Sequence, residues 1–368
     1  MAVSENRRGG AFDVDACENL AAVRDDWAAL EATGRLTPFQ TRAWLEPWYA
    51  TVAPHFAVAP LILRVRDRRS GALLMMLPLA RRRESGVRIV EFADLGVSDY
   101  HAPLFAPEMS ELGERAAALW SQVRAALRPA DLFRFEKAPR RVDGLRNPLL
   151  DIARRQMSFS AWEVALPADR AAFDAGFPDR TFLRELARKN RRIAGRGEVR
   201  FAEACTPEDQ RRAFDVLCEQ RAARFAELGR DDILQRAPFR VFYEKVALAA
   251  RDRIGRLFTL SVDDEIVATI FGLARNGCFC MILSTIGGER WKSASPGNVS
   301  MDRLVSHLIC EGGGVLDFTI GDEAYKRSFG AVAQPLSAGV ASLSWRGSPY
   351  AIADIARRVR GRRAAAPA

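Results

Sequence analysis

The chain has 368 residues, of which 48% are hydrophobic and 27% charged, and it carries a formal net charge of +9. That length and apolar content allow two or three packed domains and exclude disorder for the whole chain, while the longest apolar runs (residues 73–80 and 278–283) are strand-length and exclude a membrane-spanning helix. The basic excess is built almost wholly of Arg, since only five residues are Lys; it reads first as GC-rich coding composition and identifies no partner.

In chain order, residues 1–10 are polar and lack the apolar centre of a secretory signal, so they read as a disordered N-terminus. Helical patterns over about 14–33 and 40–52 precede strand patterns over 61–66, 72–82 and 87–95. A loop (96–107), a helix (about 110–127) and a strand (131–136) complete a first lobe, expected over 11–150. A connecting stretch (about 140–160) leads to a segment, 180–200, rich in arginine. There Phe182, Leu183, Leu186 and Ile193 give an apolar face to a chain carrying Arg180, Arg184, Arg188, Lys189, Arg191, Arg192, Arg196 and Arg200, which predicts an amphipathic basic helix.

The second lobe is expected over 151–345. Thr206-Pro207 is a helix start, with a Thr cap and Pro at the first helical position, and the helix runs to about 228. Another helix (about 238–251) precedes strands over 257–262, 265–274 and 278–286. The last two flank Asn276-Gly277, a strong hairpin signal because both residues tolerate positive φ. A loop (287–295), a helix carrying Met301, Leu304, Val305 and Leu308 on one face, and a strand (315–320) close the unit. A C-terminal helix and basic tail are expected over 346–368, frayed from about 357. The same order of elements twice predicts a duplicated mixed α/β (α+β) fold, each lobe a mainly antiparallel mixed sheet flanked by helices.

Six Cys form no C-x-x-C pair and the three His are scattered, so no metal site is expected. Cys278 and Cys280 lie two apart in a strand pattern, hence on one sheet face, and read as small core residues. Reduced thiols and the absent signal fit a cytoplasmic protein.

The most informative segment is Arg290-Trp291-Lys292-Ser293-Ala294-Ser295-Pro296-Gly297-Asn298. Ser295 before Pro296 reads as a helix N-cap, and the N–H groups of Gly297, Asn298 and Val299 would point from the positive end of the helix. With Lys292 nearby, and no Cβ on Gly297, a phosphate-sized anion site is one reading; a well-capped core helix is the other. The G-x-x-x-x-G-K-[ST] and G-x-G-x-x-G patterns are absent, which disfavours ATP-driven and dinucleotide redox chemistry.

A strand hairpin, a third strand, an anion loop, a helix and a strand resemble the heart of the GNAT acetyltransferase fold, whose coenzyme A loop is similar to Lys292-x-x-Ser295-x-Gly297. Thr37-Pro38-Phe39-Gln40 with Trp44 and Trp48, Leu77-Pro78-Leu79, Ser98-Asp99-Tyr100 with Pro103-Leu104, Ser295-Pro296-Gly297, and Asp317-Phe318 followed by Gly321-Asp322-Glu323-Ala324-Tyr325-Lys326 together resemble the CelD-like acetyltransferases of cellulose and exopolysaccharide gene clusters. The resemblance implies two tandem GNAT-like lobes, as in the distantly similar FemABX aminoacyl transferases. It also implies acetyl-CoA or another acyl-CoA as cosubstrate and an amine acceptor, with Lys292, Ser295, Gly297, Asn298 and Val299 at the cofactor.

Within that frame Tyr325 is the candidate proton donor to the departing thiolate, or else a packing Tyr at a strand–helix junction. Asp322, and then Glu323, are candidates for the base, or else charges favoured at a helix N-terminus. Lys326 is a candidate for binding substrate, or a solvated lysine. Arg221 falls inside an apolar stripe and needs a partner, either a buried ion pair or a ligand. Asp99, Tyr100 and His101, in the matching loop of the first lobe, are candidates for the acceptor site. The basic helix 180–200 suits a solvated face, the coenzyme's phosphates or an anionic membrane surface; with no interleaved aromatics, nucleic acid ranks last. The leading expectation is an acyl-CoA-dependent N-acyltransferase acting on a small amine or amino sugar. The alternatives are an aminoacyl transferase using charged tRNA and a non-catalytic accessory protein of a polysaccharide synthase.

Overall fold

A computed structural model describes residues 11–177, 180–250 and 254–353. The frayed ends expected at 1–10 and beyond 357, and residues 354–368 of the expected C-terminal helix and tail, lie outside the described residues. The described parts of Met1–Phe159 and Pro335–Ala368 form one compact unit, and Ser160–Gln334 the other.

In the first unit, alternating burial of Phe12 and Val14 makes a strand, β1 (Phe12–Cys17), where the sequence pattern had placed the start of a helix. Helices α1 (Arg24–Thr33) and α2 (Arg42–Thr51) follow, burying Trp27, Leu30, Trp44 and Trp48. Next come β2 (Ala59–Asp67), β3 (Leu73–Glu84), β4 (Val87–Phe92), the short β5 (Leu104–Phe105), α3 (Arg115–Ala126) and β6 (Leu132–Pro139). A small hairpin of β7 (Arg141–Val142) and β8 (Leu145–Arg146) ends the segment. β1 to β4 pair antiparallel in sequence, and β4 then pairs β6 in parallel at Ile89↔Leu132 and Val90↔Phe133.

The second unit repeats this plan. β9 (Arg155–Leu166) enters it at Ser160, followed by α4 (Arg170–Gly176), α5 (Arg180–Ala194) and β10 (Val199–Glu203). The basic helix therefore stops at Ala194, short of the expected residue 200: Gly195 and Gly197 interrupt it and the chain turns into a strand. Then come α6 (Pro207–Glu227), α7 (Ala237–Ala247), β11 (Gly255–Val262), β12 (Glu265–Arg275) and β13 (Cys278–Ile286). The expected loop 287–295 contains a short helix, α8 (Glu289–Lys292), before α9 (Pro296–Cys310), β14 (Gly314–Ile320), α10 (Ala324–Ser328) and β15 (Val332–Ser342). β10 to β13 pair antiparallel in sequence, and β13 pairs β14 in parallel.

Alternation along the strands sorts the second unit into layers. Phe258, Ile270, Phe279, Met281, Leu316 and Phe318 pack with Leu186 of α5 and with Met301, Leu304 and Val305 of α9. The opposite face of β12 and β13 meets α6 and α7, where Thr285 donates to Gln220 and Phe271 meets the Tyr243 ring.

Residues after 335 rejoin the first unit, where Leu336–Ser342 pair with β6. Asp131 fixes the return. Its carbonyl accepts from Leu343 and Ser344 N–H, and its carboxylate accepts from Ser344 Oγ (2.6 Å) and, bidentate, from Arg88. The Arg88 guanidinium, with Ser344 and the Arg88 N–H, holds the Asp131 carboxyl well below the usual carboxylate range. A depressed carboxylate adds stability above its unfolded pKa and loses it as pH falls through the folded value. Asp131→Ala is therefore expected to lower the urea midpoint at pH 7, with the gap from wild type narrowing below about pH 4. Urea titrations at both pH values check it.

Candidate functional site

β13 and β14 stay paired for three residues only, Cys278↔Val315 to Cys280↔Asp317, and then part. Two bulges force the parting. Against β12, β13 carries Ile282 as an extra residue between Met281 and Leu283. Against β9, β14 places Phe318 and Thr319 opposite the single residue Trp162. Thr319 sits at φ 56°, a left-handed backbone that a β-branched residue rarely adopts. Asp317 Oδ1 accepts from its N–H (2.7 Å), and its hydroxyl donates to the Met281 carbonyl (3.1 Å). The strands are parallel, so the loop leaving β13 and the turn leaving β14 emerge at the same end of the sheet.

The loop leaving β13 carries the residues expected to hold a cofactor, with a geometry that departs from expectation. Ser295 occupies the N-cap position of α9 but lies at φ 54°, and its hydroxyl caps nothing. Its carbonyl takes the N–H groups of Asn298 (3.1 Å) and Val299 (3.3 Å), so two of the three expected anion donors are committed within the helix. A Cβ on Gly297 would meet Ile286 Cγ2 at 3.2 Å, so the glycine lets the helix start close to the end of β13. Lys292 is paired with Glu289 and Glu227. Arginines of α5 reach this loop instead: Arg192 donates to the Ser293 carbonyl (2.8 Å), and Arg196 to the Arg290 carbonyl and Ser293 Oγ. Beside them a cavity is lined by Arg196, Arg290, Trp291, Asp263, Asp264 and Glu265. Three carboxylates against two guanidiniums make it no anion pocket.

The turn leaving β14 gathers Asp322, Glu323, Tyr325 and Lys326. Tyr325 packs edge-on to Phe318 (5.9 Å), and burial, then the Glu323 charge, pushes its phenol well above the usual range. It stays protonated across physiological pH. Asp322 Oδ1 accepts from Trp162 Nε1 (3.0 Å) and the Ser160 N–H. Lys326 corrects the expectation of a substrate-binding or solvated lysine. It is 2% exposed, and its ammonium donates to the carbonyls of Ile320 (2.8 Å) and Gly321 (3.0 Å) and pairs with Glu323 (2.9 Å). It ties off the end of β14.

Arg221 resolves as the ion pair, Nε to Asp232 at 2.6 Å, with its guanidinium over the Phe225 ring. Sequence reasoning missed Glu163, because no element was read between the connecting stretch (about 140–160) and the basic helix, although Trp162, Val164 and Leu166 alternate. Glu163 faces Asp317 in register, accepts from Gln334 Nε2 (2.6 Å), and has its pKa raised by burial.

In the first unit, Asp99, Tyr100 and His101 belong to a loop that turns back against β6. His101 N–H donates to the Lys137 carbonyl and its Nδ1 accepts from Glu136 N–H, which assigns the ring proton to Nε2, 3.0 Å from Asp94 Oδ2. Both nitrogens are used and the ring is buried on Phe92, so His101 is neither a surface residue nor a free base. Burial lowers its pKa against the pull of Asp94. Lys137, like Thr319, lies at positive φ (53°) in a bulged strand, and its ammonium meets Asp94 Oδ2 (2.5 Å) and the Ser98 carbonyl (2.6 Å). Gln40, Trp44 and Trp48 donate to Tyr100 O, Ser98 Oγ and Asp94 O. Tyr100 also meets the Phe39 ring edge-on. Asp99 is half-buried, and its charge adds to the raised pKa of Lys137.

Residues 180–327 match the Acetyltransferase (GNAT) domain model. Solved structures of similar fold include FemX (10% identity, 88% of this chain and 96% of that one, TM-score 0.58). A conserved protein of Bacteroides thetaiotaomicron aligns over 89% and 99% (12% identity, TM-score 0.52), and L-PGS from Bacillus licheniformis over 96% and 98% (12% identity, TM-score 0.51). No curated protein matches in sequence. Part of the second unit, residues 180–327, matches a GNAT domain model and the first unit repeats the second's plan, so the fold is a mixed α/β pair of GNAT-like lobes.

Lys137→Met leaves the Asp94 carboxylate buried with no full cation beside it. Its expected cost is about 3–5 kcal/mol in denaturant unfolding, and Asp94→Asn in the same background should recover part of it. Glu163 has the opposite sign: a carboxyl raised by burial subtracts stability as pH rises through its folded pKa. Glu163→Gln should therefore leave Tm at pH 7 unchanged or higher, with any gain gone at pH 4, as thermal melts at the two pH values would read.

Proposed function

We propose that the chain is an acyl-CoA-dependent N-acyltransferase, with acetyl-CoA as donor and an amine of a small molecule or amino sugar as acceptor. The CelD-like resemblance favours an acceptor from cellulose, exopolysaccharide or envelope synthesis. The observation that carries the reading is the parting of β13 from β14 inside the segment that matches the GNAT domain, with a helix start beyond one strand and a half-buried, protonated Tyr325 beyond the other.

In such a transfer the neutral amine attacks the thioester carbonyl, a C–N bond forms and the C–S bond breaks. A base takes the amine proton and the thiolate takes one from an acid. Tyr325 is the acid in this reading. Asp322 is the base or the group that orients the ammonium, Glu323 beside it is the second candidate, and Glu163 joins them. Gly297, Asn298 and Val299 bring the α9 start to the coenzyme's phosphates, next to Ser295 and Lys292. Arg192 and Arg196 keep that loop in place. Among the described residues no helix is long and apolar enough to cross a membrane, and a cytoplasmic setting with access to acyl-CoA suits the reaction.

A second reading, an aminoacyl transferase drawing on charged tRNA, is favoured by the exposed Arg184, Arg188 and Arg191 of α5. Thermal shift and native mass spectrometry with acetyl-CoA separate the two. Expected is saturable binding that Gly297→Glu abolishes and Gly297→Ala keeps, and turnover that Tyr325→Phe lowers by roughly 10²–10⁴-fold at nearly constant KM. Indifference to millimolar acetyl-CoA together with salt-steep tRNA binding would replace the first reading by the second. Binding without turnover on any amine would make the chain an accessory protein.

A further inference from the structure

At the closed end of the split, on the sheet face away from α9, three groups with metal-binding chemistry converge. Cys278 and Cys280 are two apart in β13 and so share a face, and Cys280 is in register with Asp317 of β14. Cys280 is 2% exposed, Asp317 5%, and Cys278 half-buried. The two Sγ atoms stand 3.9 Å apart, and Cys280 Sγ lies 3.7 Å from Asp317 Oδ2. One ligand atom from each of the three residues falls within 4.8 Å of both others.

Those spacings can be set against an ion. A tetrahedral zinc centre with Zn–S of about 2.3 Å and Zn–O of about 2.0 Å separates two sulfurs by ~3.8 Å and a sulfur from an oxygen by ~3.5 Å. The Cys278–Cys280 and Cys280–Asp317 separations already stand close to these distances, and the third lies within 4.8 Å. Ordinary core cysteines need no such convergence on a buried carboxylate.

We propose that Cys278, Cys280 and Asp317 form a binding site for a thiophilic divalent cation of the zinc class. On binding, both thiols lose their protons to solvent and three metal–ligand bonds form to the two thiolates and the Asp317 carboxylate. The fourth position falls to water or to Glu163, which faces Asp317 across the β9–β14 register. Asp317 binds through Oδ2 and keeps Oδ1 on the Thr319 N–H, so the ion would staple β13 to β14 just below the point where they part. The spacing rule for zinc looks for two cysteines three apart and misses this arrangement, because the third ligand comes from another strand. A second cluster, Glu203, His307 and Glu311, is different: the Arg256 guanidinium already pairs with both carboxylates there, so it has its cation.

The test uses the full reduced, metal-stripped chain titrated with Co2+. Expected are thiolate-to-cobalt charge-transfer absorption and the visible bands of a tetrahedral site at one ion per chain, bleached by Zn2+. Cys278→Ser, at a half-buried position, should weaken binding roughly tenfold or more, as should Asp317→Asn. The triple variant Cys17→Ser, Cys205→Ser, Cys310→Ser should keep the signal. Zn2+ should raise the Tm of the wild type and not that of Cys278→Ser. If Asp317→Asn fails to fold by circular dichroism, Cys278→Ser alone decides. Absent bands, bands that survive Cys278→Ser at unchanged affinity, or bands lost in the triple variant would each overturn the site.

Discussion

The proposed acyl-transfer site depends on keeping two neighbouring parallel strands apart. Strands gain hydrogen bonds by staying together, so parting requires residues that are denied a regular ladder. Thr319 does this in the second lobe and Lys137 in the first, each a non-glycine held at positive φ inside a bulged strand. Such a conformation persists only when its surroundings over-determine it. Around Thr319 the Asp317 carboxylate and the Met281 carbonyl serve that purpose, and Lys326 draws the following carbonyls together.

The lobes use the same device for different ends. In the first, the gap is filled from within: the loop after β4 turns back, His101 bonds the β6 backbone, and Lys137 meets Asp94 in a site almost free of water. Taking an ammonium and a carboxylate out of water is costly, and the pair is tolerated because each also meets backbone groups. The residues behind the CelD-like resemblance in this lobe, Gln40, Trp44, Trp48 and Ser98 among them, are the ones that hold the loop. Among the described residues of the second lobe, no chain segment returns to bond the bulge of β14 in the way His101 bonds that of β6. The loop runs straight into a helix, and arginines of a neighbouring helix brace it.

Much of this plan was legible in the sequence where local chemistry sets local structure. Asn276-Gly277 occupies the left-handed turn its composition demands, at φ 48° and 72°. Thr206 caps α6 through the Asp209 N–H, and β13 spans the predicted residues. The failures have a common cause. β1 and β10 carry charged residues on their open face, which blurs the alternation. β9 and β15 take their meaning from partners far away in sequence. Ser295 before Pro296 reads as an ordinary cap, yet it sits at φ 54° with its hydroxyl off the helix, and the local sequence does not announce that Lys292 pairs with Glu227 and Glu289. Lys326 looked like any exposed lysine because nothing local announces the carbonyls of Ile320 and Gly321 and the Glu323 carboxylate converging on one ammonium. The Cys278–Cys280–Asp317 cluster is likewise visible only once β13 and β14 are set side by side.

The first lobe is assembled from two pieces of chain separated by the whole of the second. β6 has no antiparallel neighbour until Leu336–Ser342 arrive, and Asp131 has nothing to fasten until residues 343 and 344 follow. During synthesis, the segment that starts first therefore finishes last. The later lobe can close over its own core while the earlier one still waits with an open sheet edge, a state in which exposed strands pair with whatever they meet. The N-terminal half thus completes its sheet later than its position in the chain implies.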